Sequence, residues 1–418
     1  MEKIGFDIFD FFSFFICLII ALFDYSIVSL LFQNDNETII VNFTKLLKKV
    51  SVIRTSLFIF RITNHQTPIH MKIALIHYRI TLRGGLETRL VNYTNYLVQE
   101  GHEVTIICAK NKGEVTFPAS VKIVRLPLGI TPKVFRMMAF NYRIKGYLAK
   151  NNFDFSLSLG RTYNQDTVLA PSNHQGYLDA MNMSGNRLTD RVQNYLDRKT
   201  CENSQIIYAA SSMIKEEMIQ YYGAKRETLH VLFPPLNTDN FTIATEAQRR
   251  FLRNKYGIDL DTKVFAFVSS SHKRKGLPIL LEVFELLKEE NVVLFIAGYP
   301  EIKTDLPNIR FLGFLDSPEL IYHLADFTLH PALYEPFGQV ISESLACGTP
   351  TIVSDKVGAK EIVTPNVGQV LDSLDPKIWA ETLKKLERSA FDIPEDFVYK
   401  NGLSLEQHIE KMLAIFRQ

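Results

Sequence analysis

Two doubly wound α/β lobes facing a cleft are predicted by three observations. Short apolar runs alternate with helix-patterned stretches from Met71 onward. The alternation breaks once, at "FPPLNTDNF" (233–241), and then restarts and continues almost to the end of the chain. Strands alternating with helices of that length place helices on both faces of a parallel sheet. In such sheets ligands bind beyond the carboxyl ends of the strands, so two lobes imply a shared cleft.

The elements follow in order. "KIALIHY" (72–78) is a buried parallel strand, and "GGLETRLVNYTNYLVQEG" (84–101) is a helix. Its Leu86, Leu90, Tyr93 and Leu97 recur at helical spacing, and Gly101 stops it. "EVTIIC", "VKIVRL", "FDFSLSL", "DTVLAP", "QIIYAA" and "LHVLF" continue the first lobe. Two prolines followed by Asn and Asp make the linker. The second lobe reads "KVFAFVSS", a helix through "LPILLEVFELLKEE", then "VVLFIAG", "IRFLGFL", a helix from Ser317, "FTLHPA", "TPTIVS" and "VGQVLD". The resulting division is 71–235 for the first Rossmann-like lobe and 236–400 for the second. A C-terminal helix at 401–418 is expected to pack back toward the first lobe.

Composition narrows the class. With 418 residues the chain is long enough for two or three domains. A net charge of only +2 gives no global argument for nucleic acid, and none is expected as a partner. Cys17, Cys108, Cys201 and Cys347 lack metal-ligand spacing and read as reduced thiols of a cytoplasmic protein. Residues 1–70 are unusual. "FFSFFICLIIALF" (11–23) is apolar but shorter than the roughly 20 residues that span a bilayer. Lengthening it would bury Asp24. Asp7 and Asp10 stand where a signal peptide carries positive charge. An anchor, a packed helical appendage and an extension outside the functional unit all stay open. "MKIALIHYRI" from Met71 favours the last, because it opens like the first strand of a domain.

Four stretches carry chemistry. Gly84-Gly85, between a strand and its helix, suits close backbone approach to a ligand and equally a plain tight turn. "SSSHKRKG" (269–276) ends a strand with His272, Lys273, Arg274 and Lys275, fitting either a diphosphate site or a solvated loop. "YEPFGQVISESLACGTPTIVSD" (334–355) places Glu335 just before a helix that starts near Phe337-Gly338, with Glu343 almost two turns inside. The spacing does not make the acids face each other. It suits two separate hydrogen-bonding arms beside free helix amides, against the plainer reading of a dipole-complementing Glu335 and a surface Glu343. Finally, residues 117–153 contain no acid but seven Lys or Arg, interleaved with Phe135, Met137, Met138 and Phe140. That fits peripheral contact with an anionic membrane or a phosphorylated acceptor, and also an ordinary basic helix.

The 334–361 stretch resembles the E-x7-E signature of retaining two-lobed GT-B enzymes, glycosyltransferase family 4. It matches at Glu335, Pro336, Phe337, Gly338, Glu343, Ala346, Gly348 and Pro350, and again at Gly358 and Glu361. Gly84-Gly85-x-Glu87, Lys275-Gly276 and "NIRFLGFL" (308–315) fall in the family's order, so the resemblance runs from Met71 to the C-terminus. "SSSHKRKGL" is similar to the lipopolysaccharide-core glucosyltransferases of the family. The resemblance implies a hexose moved from a nucleotide-sugar donor to a glycan or lipid-linked acceptor, with retention and with neither metal nor separate cofactor. It implies that Glu335 binds donor-sugar hydroxyls, assisted by the amides of Phe337, Gly338 and Gln339, and that Glu343 binds the ribose. Lys275, with Arg274, holds the diphosphate. Gly84 and Gly85 approach the donor from the first lobe, and backbone near Phe314 meets the base. His174, in "APSNHQGYL", matches the polar residue near the reacting carbon, although a lone His is as often structural.

The chain also departs from the family. Ser270 stands where an Arg is usual, leaving Arg274 or Lys273 to supply the charge or phosphate binding weaker. Pro234-Pro235 replaces the common Asn-Gly, and "DLD" (259–261) mimics a metal-binding DxD but reads as a turn. Two rivals therefore stand beside the transferase. A nucleotide-sugar epimerase of the same fold would convert free donor without acceptor. A two-lobed binding protein would bind donor without turnover.

Overall fold

The computed structural model describes residues 70–81 and 84–418. The apolar run at 11–23 and Cys17 lie outside the described residues. The first lobe is a seven-stranded sheet of parallel pairs in the order β5-β3-β1-β6-β7-β8-β9. Its strands are β1 (Lys72–Ile76), β3 (Glu103–Cys108), β5 (Lys122–Arg125), β6 (Phe155–Ser158), β7 (Thr167–Ala170), β8 (Ile206–Ala209) and β9 (Leu229–Val231). A two-residue pair, β2 (Arg79–Ile80) with β4 (Lys110–Asn111), extends from the loops. Helices α1 (Gly85–Gln99), α2 (Arg136–Leu148), α3 (His174–Ala180), α4 (Leu188–Asn203) and α5 (Ser212–Tyr222) connect them.

The second lobe is a six-stranded parallel sheet ordered β12-β11-β10-β13-β14-β15. Its strands are β10 (Lys263–Val268), β11 (Val292–Ala297), β12 (Ile309–Gly313), β13 (Phe327–His330), β14 (Thr351–Ser354) and β15 (Gly368–Leu371). The helices are α6 (Glu246–Lys255), α7 (Leu277–Leu286), α8 (Glu319–Leu324), α9 (Gln339–Ala346), α10 (Pro376–Lys385), α11 (Phe397–Lys400) and α12 (Leu405–Phe416). Both sheets reverse strand order beside their first strand, at β1/β6 and at β10/β13, and such switch points open crevices at the strands' carboxyl ends.

The central strands of each sheet, such as β1, β3, β10 and β11, are buried on both faces, which is why they are almost continuously apolar and not alternating, whereas the edge strand β5 is largely exposed. Leu75, Tyr93 and Leu97 lie in the core on one face of the first sheet, and Ile76, Phe140 and Ile144 in the core on the other. The second lobe repeats this with Phe265, Phe284 and Trp379 against Val264, Phe295 and Tyr322. Helix α12 belongs to the first lobe by packing. Ile409, Met412 and Leu413 join the cluster of Leu90, Tyr93 and Leu97, and the Tyr208 hydroxyl donates to the Met412 carbonyl at 2.7 Å. His408 meets the Tyr93 hydroxyl on one side and the Phe233 carbonyl, at 2.8 Å, on the other. Burial among apolar groups, with Arg89 adding to it, pushes the His408 pKa down to about 3, so it packs as a neutral ring.

Gly276 fixes the turn that presents the basic loop. Its φ is +85°, and a Cβ there would run into the Pro331 carbonyl oxygen. Only glycine lets β13's exit lie against the start of α7, and this contact brings the basic loop beside Glu335. Cys108, Cys201 and Cys347 are buried and unpaired. No helix of the described residues is long and apolar enough to cross a membrane.

Candidate active site

The two switch points face a common cavity of about 620 Å³, a size suited to a small ligand. Gly85, Arg89, Arg161 and His174 line it from the first lobe, and Ser270, Arg274, Lys275, Glu335, Phe337, Gly338 and Gln339 from the second. Glu335 is held by its backbone on both sides. Its amide donates to the Lys356 carbonyl at 3.0 Å, and its carbonyl accepts from Gly358 at 2.8 Å. The side chain is thereby fixed and is buried. Arg274 Nη1, Lys275 Nζ and His330 Nε2 surround its Oε2 at 3.1, 3.7 and 3.4 Å. None of these contacts has hydrogen-bond geometry. Oε1 has no partner among the described residues, which leaves a carboxylate ready to accept from a ligand hydroxyl. Burial alone would raise the Glu335 pKa, but the contact with His330 and the charges of Lys275 and Arg274 overcome it and hold the group at about 2.

Arg274 is kept in the cavity by donating from Nη1 to the Tyr334 carbonyl at 2.6 Å. Helix α9 begins beside it. Gly338 is its N-cap, and the amides of Phe337, Gly338, Gln339 and Val340 donate to no acceptor among the described residues. Free amides at a helix start attract anions and hydroxyls. Gly85 reaches this point from the other lobe, where a Cβ would sit 3.4 Å from Gln339 Oε1. Gly85 is therefore where the lobes approach closely. Gly84 serves a local purpose, because its missing Cβ (φ +125°) leaves room for the Glu87 carboxylate.

The first-lobe wall is organised by Asp197. One carboxylate oxygen accepts from Arg161 Nε at 2.6 Å, and the other accepts from the His174 amide at 2.8 Å. Asp190 Oδ1 lies 3.1 Å from His174 Nε2, so the imidazole is oriented from behind. Polar links tie the lobes together. Ser211 donates to the Pro336 carbonyl at 2.7 Å, and Glu361 accepts from the Ser212 amide and hydroxyl at 2.7 and 2.6 Å.

Four residues of the expected set do not line this cavity. Lys273 is exposed, because the turn closed by the Lys275 amide on the Ser271 carbonyl aims it at solvent. Gly84 lies one residue short. Phe314 is largely exposed past β12 and stacks parallel to Tyr299 with centroids 6.4 Å apart. Glu343 is half-buried and accepts from the Tyr322 hydroxyl at 2.7 Å, and burial raises its pKa against that bond. Helix α9 starts at Gln339, so Glu343 lies about one turn in and not almost two.

The sequence reading missed Arg89, Arg161 and Asp197. Arg89 lies one turn after Gly85 on α1, a spacing that puts both on one face. Arg161 follows the carboxyl end of β6, where a site is expected on topology alone.

A third interlobe contact is titratable. Glu217, half-buried on α5, accepts from the Tyr334 hydroxyl at 2.7 Å and from Asn173. Burial raises its pKa above the ordinary carboxylate range, against the pull of those two donors. A raised carboxylate favours folding while protonated and loses that contribution as pH climbs through the folded pKa. Glu217→Gln keeps an acceptor for both donors. We expect it to raise the melting midpoint relative to wild type above that pKa and to match wild type below pH 4, measured by thermal denaturation across pH.

Both lobes of the chain resemble known proteins. Residues 83–240 match the Glycosyltransferase Family 4 model, and residues 248–401 match the Glycosyl transferases group 1 model. A protein of Burkholderia thailandensis described as a probable transglycosylase is 30% identical over 296 residues, 71% of this chain and 81% of its own length. The crystal structure of WaaG, a glycosyltransferase involved in lipopolysaccharide biosynthesis, superposes with a TM-score of 0.63 at 18% identity, covering 83% of this chain and 95% of that one. Anabaena HepE in complex with UDP and glucose superposes with a TM-score of 0.59 at 15% identity, covering 82% and 100%. With the paired domains in this order and a relative matched along most of its length, the chain belongs to the GT-B glycosyltransferases, a family 4 domain followed by a group 1 domain.

Proposed function

We propose that this glycosyltransferase moves a hexose, with retention and without a metal, from a nucleoside-diphosphate sugar to a surface glycan or lipid-linked acceptor, such as a lipopolysaccharide core. The observation that carries the reading is Glu335 held ionised between two cations and a free helix N-terminus at the cleft. The carboxylate accepts from sugar hydroxyls, and the α9 amides support it. Lys275 and Arg274 face the diphosphate and stabilise the charge that grows as it leaves. His174 lies near the reacting carbon. Glu343 and Phe314, outside the cavity, belong to the ribose and base end of an extended nucleotide.

In the step we propose, the bond from the anomeric carbon to the diphosphate oxygen breaks. The acceptor oxygen bonds that carbon on the same face, and its proton passes to the departing diphosphate. UDP-glucose is the donor to test first, because the HepE structure holds UDP and glucose. Peripheral membrane contact on the cytoplasmic side would use the basic segment 117–153, where Ile130, Phe135 and Tyr142 are exposed. The test is proton NMR of the product formed from UDP-glucose and a lipid extract. An α-linked product supports the reading. A β-linked product overturns retention, and conversion of free donor without acceptor would point to an epimerase.

A further inference from the structure

Arg89, on α1, lines the cleft cavity and is only 8% exposed. Its guanidinium makes no hydrogen bond or ion pair with any described residue. The neighbouring Tyr93 hydroxyl is engaged by His408 instead. Burial pulls the Arg89 pKa below the ordinary guanidinium value, and no carboxylate opposes that pull. A buried cation without a partner costs stability, and an anion bound beside it removes the cost.

The charges of the cavity indicate which anion. Arg89, Arg161, Arg274 and Lys275 line it, with Glu335 as the acid among them. Asp197 pairs with Arg161 at 2.6 Å, and Glu335, 3.1 Å from Arg274 and 3.7 Å from Lys275, offsets one of those two. One uncompensated positive charge is left on each wall. The diphosphate of a nucleotide sugar carries one negative charge on each phosphate, which matches. Position agrees with charge. A helix side chain leans toward the helix N-terminus, so Arg89 reaches back over the turn that starts at Gly85. Gly85 in turn approaches Gln339 at the start of α9. The guanidinium and the free α9 amides therefore serve the same part of the cavity from opposite lobes. The second lobe has little charge to spare there: Ser270 is neutral, Lys273 is exposed, and Arg274 is held by the Tyr334 carbonyl.

We infer that Arg89 is a ligand of the donor diphosphate, supplying from the first lobe the cation that Ser270 does not supply from the second. The donor is then gripped by both lobes. The inference rests on the donor reading in naming this ligand; an oxyanion site at Arg89 does not depend on it.

The test is calorimetric titration of the full chain with UDP and with pyrophosphate, beside melting of the ligand-free protein. Arg89→Met is expected to weaken UDP about 10- to 100-fold, as for a lost charge-assisted contact. Its ligand-free melting midpoint is expected to equal or exceed that of wild type, because an unpaired buried charge is gone. Adding Ser270→Arg to Arg89→Met is expected to recover about tenfold in UDP affinity, which repair of a structural defect would not do. Arg89→Gln keeps a donor and loses only the charge. It is expected to weaken UDP about tenfold, and it decides the case if Arg89→Met does not fold. The inference is overturned if UDP affinity stays within about twofold of wild type in the neutral variants. It is also overturned if UDP weakens together with a lower ligand-free midpoint and Ser270→Arg recovers nothing, since Arg89 is then structural. Weakening of UDP-glucuronate with UDP unchanged would place the guanidinium on a sugar carboxylate and overturn the diphosphate assignment. Wild-type protein that fails to bind UDP sinks the donor reading instead, and pyrophosphate, expected to lose affinity in the same variants, then decides on Arg89.

Discussion

Glu335→Gln is expected to slow transfer about 10²- to 10³-fold, the usual cost of losing one group that stabilises a transition state. The same variant is expected to bind UDP at least as tightly as wild type. The second outcome separates a ligand-binding carboxylate from a structural one. UDP lacks the transferred hexose, so it gains nothing from Glu335. In the free protein the carboxylate competes for Arg274 and Lys275 at 3.1 and 3.7 Å, and it repels an incoming diphosphate. Removing its charge frees both cations. A Glu335 that served only to brace the basic loop would give the opposite result, because its loss would loosen Arg274 and weaken UDP. Transfer assays and UDP titration on one preparation decide between the two. The acid side of the stability profile adds a check. Because the folded pKa is held near 2, Glu335 contributes stability above the ordinary carboxylate range and loses it as pH falls toward 2. Glu335→Gln is expected to lack that part of the acid loss, provided both proteins unfold reversibly.

The division into legible and illegible features follows from what periodicity records. Strands such as Lys263–Val268 and Val292–Ala297 are apolar without interruption because both their faces are covered, and a run of that kind between helical stretches marks a central strand of a parallel sheet. The loop at 269–276 and the helix from Gln339 stood out because a charged or glycine-rich segment directly follows a buried strand. Long-range pairings leave no such trace. Asp197 lies 36 residues from Arg161 and 23 from the amide of His174, and no spacing rule joins them. His330 reads as one more residue of an apolar strand, and only the chain's return through Glu335 shows that its ring abuts a carboxylate. The position of Lys273 outside the cavity lining has a related cause. Four consecutive cationic or imidazole side chains cannot all face one way from a turn, and the sequence does not say which of them the turn aims at solvent.

Lys275→Ala is expected to weaken UDP about 10- to 100-fold, since a charge-assisted hydrogen bond contributes about 1.5–3 kcal/mol. It is expected to lower kcat/KM for the nucleotide sugar by about 10³-fold, because charge on the diphosphate grows as the sugar leaves. The excess of the second effect over the first measures how much of the Lys275 interaction is made only in the transition state. Arg274 cannot take over. Its Nη1 is held by the Tyr334 carbonyl at 2.6 Å, and Ser270, which lines the same wall, carries no charge. Lys275→Arg tests reach: a planar guanidinium on a longer stem restores charge but not the position of a compact ammonium, so partial recovery of UDP binding with little recovery of kcat is expected. Equal losses in UDP binding and kcat/KM would instead mean that Lys275 only tethers the nucleotide. The growing charge would then fall to Arg274 and the α9 amides, and Arg274→Ala would become the variant with the larger loss in kcat.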